Sequence, residues 1–238
     1  MMTVQHIWRY GGIDVIYDSA VDGGGMRYAP PLVSFIKNRF GADRRFGTVF
    51  EWCSGAGFIG FALLAEGLCD SLCLADINPA AIDCVNRTID ANQLQNKVRG
   101  YVSDNLMSVP KSECFDLVVG NPPSFCAINS AHPWYEAFKG DIRGNDPDWR
   151  IHAGFYDQIA PFLRPDAYIL NLEVELYKRE VFMFNLLNVP LDVRAAEPQF
   201  VFAEMIRRGG LTHIENAPFD SGWQVGLNFW LQISRKSA

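Results

Sequence analysis

No run of apolar residues in this 238-residue chain approaches the ~20 needed to cross a bilayer. The N-terminus also lacks the basic-then-apolar order of a secretory leader, so the expectation is a cytoplasmic protein with no membrane partner. Cys-x-x-Cys pairs are missing. Of the six cysteines, Cys53, Cys73 and Cys114 sit inside apolar runs and Cys69-x-x-x-Cys73 ends in a strand-like one, so all read as small buried hydrophobes and no metal site is expected. Basic clusters are scarce, namely Arg44-Arg45 and Arg207-Arg208 against a net charge of −6, which disfavours a partner held through its phosphates. Internal repeats and low-complexity segments are absent.

What remains is an ordinary globular composition, 49% hydrophobic and 20% charged, on a chain long enough to bury one substantial core. Residues 7–17 alternate about Gly11-Gly12 as a short hairpin would. Gly23-Gly24-Gly25 then reads as a flexible loop, and Pro30-Pro31 opens a helix over 32–40. Strand and helix patterns follow in turn. Strands are expected at 48–52, 71–75, 98–102, 117–119 and 167–172, and helices at 58–66, 79–92, 150–163 and 181–187. Residues 200–205 and 225–233 both look strand-like and would close the sheet as an antiparallel hairpin. The expected fold is α/β: a Rossmann-like, seven-stranded, mostly parallel sheet with a C-terminal antiparallel hairpin, preceded by the short N-terminal hairpin. The boundaries are 1–45 for the hairpin, Gly-rich loop and helix, and 46–238 for the main domain. The stretch 124–149 exceeds ordinary loop lengths and is rich in aromatics and acids (Trp134, Tyr135, Phe138, Asp141, Asp146, Asp148, Trp149), which suggests a lid.

The strand at 115–120 runs into Asn121-Pro122-Pro123-Ser124. Two prolines forbid both helix and further strand pairing, so the backbone is stiff where the strand ends. Ligands of open α/β sheets bind at the carboxyl ends of strands. A rigid Asn-Pro-Pro there can aim the Asn121 amide oxygen and the Pro122 carbonyl at one NH or NH2 group on a planar substrate. Such nitrogens have delocalised lone pairs and need positioning more than deprotonation.

The strand at 48–52 runs into Glu51-Trp52-Cys53-Ser54-Gly55-Ala56-Gly57-Phe58-Ile59-Gly60, where glycines permit a tight turn and close approach of a ligand to backbone. Asp76, 19 residues beyond Gly57, is placed to accept two ribose hydroxyls. Those features equally fit an NAD-dependent oxidoreductase. Glu51 before the turn suits an ammonium rather than a pyrophosphate, and Ser103-Asp104-Asn105 offers polar groups to an adenine amino edge.

In their order along the chain these four strand ends resemble the class I S-adenosylmethionine-dependent methyltransferases with an Asn-Pro-Pro motif. Within them the chain is most similar to the small methyltransferase-domain family, including the release-factor glutamine methyltransferases, from about residue 27 to 188. The resemblance implies S-adenosyl-L-methionine as cofactor, held by Glu51, Gly55, Gly57, Asp76, Ile77, Asp104, Asn105 and the motif residue Asn121. It implies catalytic placement of the acceptor nitrogen by Asn121 and Pro122, with Pro123, Ser124, Phe125, Trp134 and Tyr135 on the substrate. The family's fourth motif residue is aromatic; here it is Ser124, with Phe125 or a lid aromatic to replace it. The helical release-factor recognition domain has no counterpart in the 45 residues before the first core strand. The acceptor is therefore expected to be a planar nitrogen of a small molecule or protein side chain. An N6-adenine or guanine nucleic-acid methyltransferase is the alternative, and a domain keeping only the fold is a further one.

Overall fold

The computed structural model describes residues 4–21, 23–124, 146–176, 198–222 and 227–236. The chain opens with a hairpin of β1 (Gln5–Tyr10) and β2 (Ile13–Asp18). Its two-residue turn is Gly11-Gly12, both at positive φ (52° and 88°), as the right-handed twist of the flanking strands demands. Then come α1 (Gly25–Phe40), β3 (Phe46–Trp52), α2 (Phe58–Ala65), β4 (Cys69–Asp76), α3 (Pro79–Ala91), β5 (Val98–Val102) and β6 (Phe115–Gly120). After these follow α4 (Arg150–Ile159), β7 (Leu163–Leu176), α5 (Pro198–Arg208), β8 (Leu211–Phe219) and β9 (Leu227–Lys236).

Seven strands form one sheet in the order β5-β4-β3-β6-β7-β9-β8. β3, β4, β5, β6 and β7 run parallel, while β9 lies antiparallel to both β7 and β8. Period-two alternation gives each strand residues on both faces. Val49, Leu72, Leu74, Leu117, Val119 and Leu170 pack with α1, α2 and α3. Phe50, Trp52, Phe115, Val118 and Ile169 pack with Phe155 and Ile159 of α4 and Phe202 and Ile206 of α5.

Helix α2 is apolar all round, as a helix buried on every side must be. The sheet covers one flank, and on another the Trp8 and Tyr17 rings of the hairpin meet Phe58 edge-on at 5.5 and 5.0 Å. The edge of β2 is satisfied by side chains of α3 and the residue that ends it. Ile16 N–H donates to Thr88 Oγ1 (2.9 Å), Asp14 N–H to Asn92 Oδ1 (3.0 Å), and Asn92 Nδ2 returns a bond to the Asp14 carbonyl (2.9 Å).

Two expectations from the sequence are corrected. Helix α1 begins at Gly25, so Pro30 and Pro31 lie inside it rather than opening it. Each proline forfeits one helical hydrogen bond, and burial of Tyr28, Ala29, Leu32 and Val33 outweighs that loss. The segment 200–205 belongs to helix α5, not to a strand. Phe202 and Ile206, one turn apart, are buried against α4, and Gly209-Gly210 stops the helix. The closing hairpin is β8 with β9, and β8 was missed. The expected helix at 181–187 lies outside the described residues.

Candidate active site

The strand order reverses between β3 and β6, leaving a crevice at their carboxyl ends where open α/β sheets bind ligands. A cavity that opens to solvent lies there, about 910 Å³ with the solvent at its mouth included, walled by the turns after β3, β4, β5 and β6, by Gly23 and Gly25, and by Ile151 of α4.

The turn after β3 needs left-handed backbone at Cys53, Gly55 and Gly57 (φ 50°, 53° and 82°). Gly55 lines the cavity, and its N–H donates to Asp76 Oδ2 (2.8 Å). Gly57 caps α2 instead, packed against Phe61 and Leu74. The buried Glu51 lines the cavity too and accepts the Gly60 N–H (2.7 Å) on Oε2, holding the first turn of α2. Burial pushes its carboxyl up to about 8, although the N–H groups of Gly60 and Ile59 pull the other way. Burial, and then the carboxylates of Asp76, Asp146, Asp104 and Glu173, push the Cys53 thiol well up. Cys53 is thus a cavity residue at strained φ rather than one more core hydrophobe, which its place in an apolar run concealed.

Asp76 ends β4 with both oxygens already engaged, Oδ2 by Gly55 N–H and Oδ1 by Asn78 N–H (2.9 Å). Its orientation is therefore preset. Burial raises its pKa against those two bonds. The cap of α3 is Asn78, which accepts the Ala80 N–H. Ile77 is half exposed at the rim, and Ser103, Asp104 and Asn105 close the far wall. Glu51, Asp76 and Asp104 are the carboxyl groups among the described lining residues. Such a wall suits a ligand with cationic sulfonium and ammonium groups and a ribose diol, so the residues present fit S-adenosylmethionine.

The turn after β6 forms a further wall, where Asn121 leaves the strand at the cavity edge with Pro123 beside it. Its Nδ2 donates to the Gly23 carbonyl (3.0 Å), and its Oδ1 accepts no bond among the described residues. Pro122 and Ser124 are buried, and the Ser124 hydroxyl donates back to the Pro122 carbonyl (3.2 Å). Ser124 therefore closes the turn, and the Pro122 carbonyl reaches a substrate only through its second lone pair. Phe125, Trp134 and Tyr135 lie outside the described residues.

Sequence reasoning missed what stands behind this wall. The Trp52 indole crosses Gly120 so closely that a Cβ there would overlap it, and its Nε1 donates to Asn171 Oδ1 (2.8 Å). Asn171 Nδ2 donates to the Tyr156 hydroxyl (2.9 Å), which donates to Gln232. Nearby, His152 meets Asp146 Oδ2 through Nδ1 (2.6 Å) and Glu173 Oε1 through Nε2 (2.9 Å), all three buried. These residues are far apart in sequence and form no motif. They also correct the far end of the expected lid: Asp146 and Trp149 are buried structural residues, Trp149 meeting Phe202 edge-on at 4.7 Å. Among the described residues no group of three or more His, Cys, Asp or Glu side chains is arranged to hold a metal ion, and no helix is long and apolar enough to cross a membrane.

Comparison with known proteins bears on the same region. Residues 32–132 match the model of the family described as "Methyltransferase small domain". A ribosomal RNA small subunit methyltransferase C from Haemophilus influenzae is 31% identical over 130 residues, 55% of this chain and 36% of its own. A ribosomal protein uL3 glutamine methyltransferase from Francisella tularensis is 32% identical over 97 residues, 39% of this chain and 31% of its own. The chain thus spans about a third of the length of these curated relatives. Among solved structures, a 16S rRNA guanine-N2 methyltransferase from T. thermophilus, in complex with S-adenosylmethionine and guanosine, superposes with a TM-score of 0.57. It is 17% identical, with 99% of this chain and 51% of that one covered, a likeness of fold.

Proposed function

We propose, from the match of residues 32–132 to the methyltransferase small domain, that the protein is an S-adenosylmethionine-dependent N-methyltransferase acting on a planar nitrogen. The observation that carries the reading is Asn121. Its amide is fixed by Gly23, its oxygen accepts no bond among the described residues, and it lines the same cavity as Glu51 and Asp76. When bound, the cofactor supplies an electrophilic methyl group. Asn121 Oδ1 accepts an N–H of the acceptor and so aims the nitrogen lone pair into the cavity. The pyramidalising nitrogen develops positive charge, and the same oxygen, already oriented, stabilises it without reorganisation. The proton is lost to solvent afterwards, so no side-chain base is required. Asp76 accepts the ribose hydroxyls, and Glu51 complements the ammonium, whose positive charge favours the ionised carboxylate.

For the acceptor, surface charge favours a small molecule or protein side chain. Both basic clusters of the sequence are occupied: Arg45 pairs with Asp70, Arg44 stands over the Phe46 ring, Arg207 pairs with Glu204 and Arg208 with Asp157. Arg39, Arg87, Arg99 and Arg164 are likewise paired with acids. A phosphate backbone would have to displace these partners. The second reading, a nucleic-acid base, draws on the relatives whose names specify ribosomal RNA.

Calorimetry against S-adenosylmethionine and NAD tests the activity, with binding of the former alone expected; binding of neither points to a fold without the chemistry. Incubation with methyl-labelled cofactor and fractionated cell extract tests the acceptor. Label in metabolites or protein supports the first reading, and salt-sensitive label in RNA or DNA the second.

A further inference from the structure

The mechanism above leaves unused three wholly buried ionisable side chains just behind the cavity. Asp146 does double duty. Its Oδ1 accepts the Ile151 N–H (2.7 Å), its Oδ2 accepts the His152 N–H (3.2 Å), and Oδ2 also meets the His152 ring. It therefore caps the N-terminus of α4, a short helix whose first turn carries no other acid described as capping it. From the other ring nitrogen, His152 reaches Glu173 on β7, two residues beyond Asn171, which stands in register with Gly120 of the motif strand. The imidazole also stacks on Phe202 (4.8 Å) and meets Trp52 edge-on (5.6 Å), the same indole that crosses Gly120.

We propose that His152 is a positioning residue: by bonding Asp146 and Glu173 through its two ring nitrogens it pins the end of α4 that presents Ile151 to the cofactor cavity onto the strand beside the acceptor motif. This assignment rests on the cavity being the cofactor site.

Only one protonation state makes both bonds well. The imidazolium donates to both carboxylates. A neutral ring donates to one and turns a lone pair toward the other, leaving a buried carboxylate poorly satisfied. The ionisable groups bonded to the ring are Asp146 from the turn before α4 and Glu173 from β7; Tyr156, one turn along α4, and Cys53, just after β3, feel the same carboxylates. Tyr156 and Cys53 are both pushed well up by burial and stay neutral. Burial alone would lower the His152 pKa, but Glu173 and Asp146 prevail and hold it at about 9. The clamp is thus closed at neutral pH and loosens above that value.

The test is S-adenosylhomocysteine affinity, measured by calorimetry from pH 6.5 to 10 on the wild type and on Glu173→Gln. In the variant a neutral His152 donates to Asp146 and accepts from the Gln amide, so the clamp holds at all these pH values. Read as a ratio of variant to wild type, the ionisations of Glu51 and of the probe's own amine cancel. The ratio should stay within about twofold at pH 7 and rise to about tenfold in the variant's favour by pH 10. A flat ratio overturns the proposal. His152→Phe, which keeps the stacking on Phe202 but strands two carboxylates, should weaken binding about tenfold at pH 7.5. A folded His152→Phe protein with unchanged affinity also overturns it. Should the wild type bind no S-adenosylhomocysteine at all, the methyltransferase reading fails. The clamp is then judged by amide exchange of Ile151 in the wild type and in Glu173→Gln. Protection lost as the His152 ring deprotonates in the wild type alone supports it, and pH-independent protection in both overturns it.

Discussion

On the β3–β4–β5 side of the cleft, carboxylates are fixed by backbone N–H groups: Glu51 by Gly60, Asp76 by Gly55 and Asn78. Toward β6, β7 and β9, side chains are fixed by other side chains: the Trp52 indole, reaching over from the end of β3, by Asn171, then Asn171 by Tyr156, and His152 by Asp146 and Glu173. A backbone N–H is present whatever residue follows, so the first wall depends on the path of the chain and on a few glycines that permit it. The second wall depends on side-chain identity at each of several distant positions. A single substitution should therefore act locally in the first and propagate in the second.

The largest expected effect lies at the end of β6, on the cavity edge. Asn121→Ala should lower turnover by about 10²-fold or more while leaving cofactor affinity nearly intact, the scale of removing one preorganised polar contact. Steady-state kinetics beside calorimetry decides it. If affinity and melting temperature fall together with turnover, Asn121 only braces its turn. Asp76→Ala should do the reverse and weaken S-adenosylmethionine binding by about 1.5–3 kcal/mol, typical of hydrogen bonds to a charged group. The acceptor wall should stay intact, as near-ultraviolet circular dichroism of the Trp52 environment would report.

Propagation is tested by Gly120→Ala. The added Cβ displaces the Trp52 indole and with it the bond to Asn171, so a stability loss of about 1–3 kcal/mol is expected in denaturant melts. In the double variant Gly120→Ala/Asn171→Ala the losses should not add, because both break one contact. Additive losses would mean that the indole finds another place.

The last effect is read as a dependence on pH rather than as a change in turnover or affinity. Glu51 binds its proton more tightly folded, at about 8, than at the ordinary 4.5 of an unfolded chain. Over that interval the folded state holds the extra proton, so stability falls as pH rises and levels off above 8. Glu51→Gln should remove this part of the slope in thermal melts between pH 5 and 9. A further fall comes from His152, whose stabilisation is complete below 6.5 and lost as pH rises through about 9.

The same contrast explains what the sequence made legible. The first wall is written in short contiguous stretches, 51–60 and 76–79, because consecutive residues build each turn, and the strands beneath follow from alternation. The Asn-Pro-Pro turn was legible for the same reason. Trp52, Asn171, Tyr156, His152 and Glu173 meet only after β6, β7 and α4 have packed, and each taken singly looks like an ordinary residue of a strand or helix. Helix α5 was misread because its aromatic and β-branched residues at 200–202 imitate a strand locally, while the burial of Phe202 and Ile206 is a tertiary fact.

The bond from Asn121 Nδ2 to the Gly23 carbonyl spans 98 positions and leaves the region 32–132 that matches the family. A side-chain amide with nothing on its NH2 is free to rotate half a turn and present a donor where an acceptor is needed. The polarity of this motif in space is thus dictated from a glycine loop that the family's shared segment does not include. A graft of residues 32–132 onto another scaffold would carry every letter of the motif and still lack the instruction for which way its amide should face.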